Sequence, residues 1–229
     1  MEIAILSTGG PPPELTPRFG DYSAMSARLL GPGFEPRVYQ AWAGELPARP
    51  HSHPAILVTG SAAGVYEPLP WIAPLLSFLR ESIGRTRLVG ICFGHQAMAE
   101  ALGGRVEKSE RGWGIGLQDY ELWGAASWMG GTPPERIAVP VSHHDQVVVP
   151  PPGVRVLGGN AFTPFGLFEY EGGSAISMQF HPEFEPDYAQ ALIEHRRARV
   201  PEPDAAIASL ERPDDRALVA DWIRRFLRT

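Results

Sequence analysis

A single cysteine stands in a string whose spacing suits nucleophilic catalysis. In Gly90-Ile91-Cys92-Phe93-Gly94 a glycine lies two residues before and two residues after the thiol. The apolar run Arg87–Ile91 predicts a strand and residues 94–102 predict a helix, so Cys92 occupies a sharp turn where glycine avoids side-chain clashes. The first N–H groups of that helix stabilise a negatively charged sulfur, and the Phe93 N–H can donate to an oxyanion. The string predicts a nucleophile, although a buried structural cysteine is the alternative that it leaves open.

A histidine and a glutamate follow another apolar run and supply groups that can activate a thiol. His181 comes directly after the apolar segment 175–180, and Pro182 restrains the turn that leads to Glu183. The Glu183 carboxylate can accept a hydrogen bond from the imidazole, fix its tautomer and stabilise the imidazolium. Cys92, His181 and Glu183 are therefore predicted as nucleophile, base and orienting acid. A surface turn is the alternative for the His-Pro-Glu string taken alone.

The elements that must position these groups are predicted from the hydrophobic pattern. Apolar runs bounded by glycine alternate with segments of helical spacing in the first half of the chain, which is typical of parallel strands joined by crossover helices. We predict one α/β domain over residues 1–229, a hinge in the Pro-rich stretch 201–203 and a solvated turn at His51 and His53. The predicted strands cover 2–6, 35–40, 55–58, 87–91, 114–122, 137–141, 147–149, 154–157, 165–170 and 175–179, and the predicted helices 19–30, 71–83, 94–102, 188–199 and 216–227.

Composition and charge limit the classes of function. The formal net charge of -6 argues against a nucleic-acid surface, which would normally be basic. No window reaches the roughly 18 uncharged apolar residues of a membrane span. The first residues lack the basic region and cleavage site of a signal peptide, so we expect a cytoplasmic location. Cys92 is the only cysteine, which excludes an intramolecular disulfide and a Cys-based metal cluster.

Two strings of the sequence together resemble those of the class I (triad) glutamine amidotransferase family. They are Gly90-Ile91-Cys92-Phe93-Gly94-His95-Gln96 and Gln179-Phe180-His181-Pro182-Glu183-Phe184. The chain is most similar to the free-standing branch close to the glutaminase domain of GMP synthetase and to the plant γ-glutamyl peptidases. Supporting strings are Phe19-Gly20-Asp21-Tyr22, Thr59-Gly60-Ser61, Pro70-Trp71-Ile72, Gly112-Trp113-Gly114-Ile115-Gly116 and Ser142-His143-His144-Asp145-Gln146-Val147.

This resemblance implies a fold, a reaction and further site residues. It implies a flavodoxin-like, mainly parallel sheet flanked by helices, with additional short antiparallel strands. It implies that Cys92 attacks the side-chain amide of glutamine and that water hydrolyses the γ-glutamyl thioester. Gly60 matches the second oxyanion donor, Gln96 matches a residue that contacts glutamine, and Ser142 and His143 match the segment that lines the glutamine pocket.

The residues leave the substrate and the partner open. No P-loop string G-x-x-x-x-G-K-[ST] occurs, so ammonia released from glutamine is expected to reach a separate synthetase subunit, if an acceptor exists. The alternative is a γ-glutamyl peptidase that uses the same triad on γ-glutamyl peptides or glutathione-like conjugates. A third hypothesis is a non-catalytic module that senses a metabolite. No metal or organic cofactor is expected, because the thiolate and backbone N–H groups supply the chemistry.

Overall fold

The protein is built on one large sheet and one small sheet with helices packed around them. The computed structural model describes residues 1–229. The strands are β1 Glu2–Ser7, β2 Glu35–Gln40, β3 Ala55–Val58, β4 Arg87–Ile91, β5 Arg105–Lys108, β6 Gly114–Leu122, β7 Arg136–His143, β8 Asp145–Val149, β9 Val154–Gly159, β10 Leu167–Tyr170 and β11 Ala175–Met178. The helices are α1 Thr16–Phe19, α2 Tyr22–Leu30, α3 Ile72–Ser82, α4 Phe93–Ala101, α5 Pro186–His195, α6 Pro203–Ser209 and α7 Arg216–Arg228.

The large sheet has nine strands in the order β2-β1-β3-β4-β11-β10-β9-β6-β7. The pairs β2–β1, β1–β3, β3–β4 and β4–β11 are parallel. The remaining strands are joined by antiparallel pairs, and β5 and β8 form a separate antiparallel sheet. This arrangement confirms the predicted fold of a mainly parallel sheet with additional antiparallel strands.

The parallel strands are buried on both faces, as their apolar runs predict. Along β1, Ile3 and Ile5 point into a core cluster shared with α2 and α7. Ala4 and Leu6 point the other way, into a cluster shared with α3 and α4. The sheet is therefore the middle layer between two helical layers, which is the usual way to bury a parallel sheet.

Three neighbouring parallel strands end at the same edge of the sheet. Val58 of β3 is paired with Gly90 of β4, and Ile91 of β4 is paired with Met178 of β11. The loops that leave these strands therefore start side by side, at the carboxyl edge where open α/β sheets bind ligands. This edge positions the candidate site.

Several local predictions were wrong. The Pro-rich stretch 201–203, predicted as a hinge, leads into a helix that was not predicted: Pro203 is the first residue of α6, where its fixed φ suits a helix start. Strand β5 escaped prediction because three of its four residues are charged and exposed. His53 is buried rather than solvated, with its Nε2 2.8 Å from the Tyr39 hydroxyl.

No helix of the protein has the length and apolar character needed to cross a membrane. The single domain over residues 1–229 and the cytoplasmic location stay predictions.

Candidate active site

Cys92 lies at a strained joint between β4 and α4. Its φ of 51° and ψ of -101° are unusual for a residue with a side chain, at a cost of about 1–3 kcal/mol. The joint is tight because a Cβ on Gly90 would lie 2.6 Å from the Gly94 carbonyl oxygen. A Cβ on Gly94 would lie 2.5 Å from the Val58 carbonyl oxygen. The two glycines are therefore required by close packing, which is the feature that the spacing around the cysteine predicts.

The ends of β3, β4 and β11 bring three predicted site residues together. A Cβ built on Gly60, after β3, would lie 3.1 Å from His181 Cε1 and 3.7 Å from Cys92 Cβ. The imidazole of His181 and the Cys92 side chain thus lie on the same side of Gly60, close enough for their charges to interact. A residue larger than glycine at position 60 would push the ring away from its place. The sequence separates these groups by 121 residues at most, but adjacent parallel strands make them neighbours.

His181 is held by Glu183 in a buried pair. Nδ1 of His181 lies 2.7 Å from Oε1 of Glu183, and the two side chains are 3% and 2% exposed. Burial disfavours the charged imidazole, but the charges of Glu183 and Cys92 and hydrogen bonds to both raise the pKa of His181 to about 10. His181 therefore carries a proton at neutral pH, which an acid for a departing amine must do.

The plane of the imidazole is fixed from a second direction. Phe184 stacks on the His181 ring with 3.8 Å between ring centroids and 7° between the planes. The Phe184 ring is in turn contacted edge-on by Tyr188, at 4.6 Å. The His181 N–H donates to the Pro140 carbonyl at 2.8 Å, which anchors the backbone of the turn. The ring can therefore rotate little, so Nδ1 stays directed at Glu183.

Two backbone N–H groups near Cys92 have no acceptor in the secondary structure. Phe93 is the first residue of α4, so its N–H has no acceptor inside the helix. The Gly60 N–H makes no hydrogen bond within the protein. Such donors, pointed at the position where a carbonyl oxygen gains charge, are what an oxyanion hole requires. The oxyanion-hole roles of Gly60 and Phe93 stay predictions.

A cavity of about 280 Å³ opens in front of Cys92. Three residues predicted to bind substrate, Gln96, Ser142 and His143, line it. Gln96 donates from Nε2 to the Asp145 carbonyl at 2.9 Å. The buried His143 has a pKa lowered to about 3 by burial, so it is neutral at physiological pH. The other lining residues are Ser61, Ala62, Ala63, Gly64, Tyr66, Glu67, Lys108, Trp113, His144, Asp145, Arg196 and Arg199.

Several charged or aromatic residues of this cavity received no role from the sequence, among them Lys108, Trp113, Asp145 and Arg196. Lys108 and Asp145 face each other across the β5–β8 pair. Arg196, just after α5, lies over the ring of Trp113. Asp145 and Trp113 stand inside strings that support the family resemblance, whereas no local pattern marks Lys108 or Arg196. No group of three or more His, Cys, Asp or Glu side chains is arranged to hold a metal ion.

Similarity to known proteins shows the family of this chain. The family model described as Glutamine amidotransferase class-I matches residues 48–197. The chain therefore belongs to the class-I glutamine amidotransferase family. The match includes both Cys92 and the His181 turn, and most of the large sheet.

Named relatives point to two kinds of reaction. A glutamine amidotransferase-like protein of Schizosaccharomyces pombe is 28% identical, over 98% of this chain and 98% of its own length. A glutamine-hydrolyzing GMP synthase of Leifsonia xyli is 34% identical over 64% of this chain, but only 30% of that protein is matched. The γ-glutamyl peptidase 2 of Arabidopsis thaliana is 26% identical over 60% of this chain and 56% of its own length. The chain thus spans less than two thirds of the last two proteins.

A solved structure supports the fold over the whole chain. The crystal structure of a glutamine amidotransferase from Thermotoga maritima superposes with a TM-score of 0.79 and 19% identity. The match covers 99% of this chain and 98% of the other. At this identity the likeness concerns the fold.

Proposed function

We propose that the protein hydrolyses the γ-carboxamide of glutamine or of a γ-glutamyl compound through a thioester on Cys92. The observation that carries the proposal is the position of His181: its Nδ1 lies 2.7 Å from Glu183 Oε1, and its ring and the Cys92 side chain lie together beside Gly60. A thiol, an imidazole and an orienting carboxylate in this order form a set that activates a sulfur nucleophile.

In the first half of the reaction, the Cys92 thiolate attacks the γ-carbonyl carbon and a C–S bond forms. The carbonyl electron pair moves onto oxygen, where the Gly60 and Phe93 N–H groups stabilise it. When the carbonyl re-forms, the C–N bond breaks and the leaving nitrogen takes the proton of His181. The products of this half are the γ-glutamyl thioester and ammonia or an amine.

In the second half, His181 is neutral and accepts a proton from a water molecule that attacks the thioester. The Gly60 and Phe93 N–H groups stabilise the second oxyanion. The C–S bond then breaks, glutamate leaves, and the thiolate–imidazolium pair is restored. Apart from the attacking water, both halves use only groups of this chain.

Glutamine and γ-glutamyl peptides are the two candidate substrate classes. The first class is favoured by similarity to the glutaminase part of GMP synthase, and with it ammonia would pass to a separate synthetase subunit. The second class is favoured by similarity to a γ-glutamyl peptidase and by Arg196 in the cavity wall, which has no acidic partner. Both classes require the same triad.

The test is a substrate screen with a matched nucleophile variant. The purified protein is expected to release glutamate from glutamine or from γ-glutamyl peptides. Cys92→Ser should lower this release by at least about 10⁴-fold, since removing a nucleophile disables the whole set. Circular dichroism and thermal unfolding should show an intact fold in the variant. Unchanged glutamate release by Cys92→Ser would falsify the nucleophile assignment.

A further inference from the structure

We propose that Arg196 binds a carboxylate on the leaving group, so the substrate class is a γ-glutamyl peptide rather than glutamine. This inference rests on the proposed function, since it names the substrate of the same site. It is carried by the position of one arginine and by the distribution of charge around the cavity.

Arg196 presents a guanidinium that is held in place but has no acidic partner. Its Nη1 donates to the Ser142 hydroxyl at 2.8 Å, and its Cζ lies 5.2 Å from the centre of the Trp113 ring. All three residues line the cavity in front of Cys92. No Asp or Glu forms an ion pair with Arg196, whereas the neighbouring Arg197 pairs with Glu194 and Asp204. A half-buried, oriented guanidinium with free N–H donors is suited to bidentate binding of a carboxylate.

The amino-acid end of a γ-glutamyl group has another place to bind. Lys108 and Asp145 face each other across β5 and β8, and both line the cavity. Their opposite charges complement the carboxylate and ammonium groups of an amino acid. Gln96, which contacts the Asp145 carbonyl, lies at the same end. The charges of glutamine are therefore matched without Arg196.

The assignment of Arg196 to the leaving group follows from the direction of departure and from the charges left over in the cavity. His181 donates the proton to the leaving nitrogen, so the leaving group extends toward the His181 side of the attacked carbon. Helix α5 follows directly on the turn of His181 and Glu183 and ends beside Arg196. Arg196 and Cys92 line the same cavity. Because Lys108 and Asp145 already match the charges of the γ-glutamyl end, we assign Arg196 to the leaving group.

The experiment compares two substrates that differ by one carboxylate. γ-Glutamylglycine carries a carboxylate on its leaving group, and γ-glutamylethylamide has none. We expect Arg196→Met to lower the ratio of kcat/KM for γ-glutamylglycine to kcat/KM for γ-glutamylethylamide by about 10- to 100-fold. This is the effect expected when a hydrogen bond between two charged groups is lost. Arg196→Lys should retain part of the preference, since it keeps the charge but loses the planar fork. Arg197→Met is the matched control, one residue further on, and should leave the ratio unchanged.

The outcomes separate this inference from the proposed function. A selective loss on γ-glutamylglycine supports the leaving-group site. An equal loss on both substrates would show that Arg196 serves the γ-glutamyl end or the fold, and an unchanged ratio would show that it binds neither end; each overturns the inference while the triad stands. Absence of turnover with every γ-glutamyl compound would contradict the proposed function itself, and the inference with it.

Discussion

The reacting centre and the outer wall of the cavity are built in different ways. At the centre, His181 and Glu183 are almost fully buried, and Cys92 is 5% exposed. Cys92 follows directly after strand β4, and His181 and Glu183 stand in the turn that follows strand β11. On the outer wall, Arg196 and Lys108 come from the end of a helix and from a small separate sheet, and they are partly or fully exposed. Under the proposed function, the strand ends carry out the bond-breaking chemistry and the more distant segments select the substrate.

The largest effect is expected from weakening the centre. Glu183→Gln removes the charge that holds the imidazolium, so kcat/KM should fall by about 10²- to 10⁴-fold. His181 is an acid only while protonated, and its proton is lost as the pH rises through its pKa of about 10. Without the Glu183 charge this pKa falls, so the alkaline limb of the pH profile should move to lower pH. A pH series of kcat/KM from 6 to about 10.5 measures the shift.

The control for this variant is Glu185→Gln, two residues further along the chain. Glu185 is exposed and pairs with Arg216 at 3.1 Å rather than with His181. The control should keep the position of the alkaline limb. An unmoved limb in Glu183→Gln would contradict the role of Glu183 as the group that sustains the imidazolium.

A smaller effect is expected from the joint that presents Cys92. Alanine normally stabilises a helix relative to glycine by about 1 kcal/mol. At position 94 the added Cβ would meet the Val58 carbonyl oxygen at 2.5 Å, so Gly94→Ala should instead lower the free energy of unfolding by about 1–3 kcal/mol. Urea denaturation measures this value. The control is Gly10→Ala, which adds a Cβ that has no neighbour within 4 Å and should leave the free energy of unfolding unchanged. A higher free energy of unfolding in Gly94→Ala would mean that the joint is looser than described.

The smallest effect is expected from the ring that stacks on His181. Phe184→Leu removes an aromatic contact worth about 0.5–1.5 kcal/mol, so kcat should fall by up to about 10-fold while KM changes little. Steady-state kinetics with one γ-glutamyl substrate separates the two constants. Tyr188→Phe keeps the ring that contacts Phe184 and removes only a hydroxyl, and it should retain kcat. A rise in KM alone in Phe184→Leu would place Phe184 in substrate binding.

The same contrast explains what could be predicted from the sequence. The parallel strands were predictable because their apolar runs are short, continuous and bounded by glycine. Cys92, His181 and Glu183 were found because each stands where such a run ends. Strand β5 has only one buried residue, so its pattern carries no strand signal, and with it Lys108 was missed. Arg196 was missed because its place depends on Trp113 and Ser142, which only the folded chain brings to it.

The most direct test is to label the sulfur with an electrophile shaped like the substrate. A γ-glutamyl chloromethyl ketone should add one equivalent of mass to the peptide that contains Cys92, because the reagent places its carbon where the γ-carbonyl carbon binds. Excess glutamine or γ-glutamylglycine should slow the addition, and His181→Asn should slow it further. If the Cys92 peptide stays unlabelled, or gains mass at a rate that neither ligand nor His181→Asn changes, then this cysteine is not the activated nucleophile.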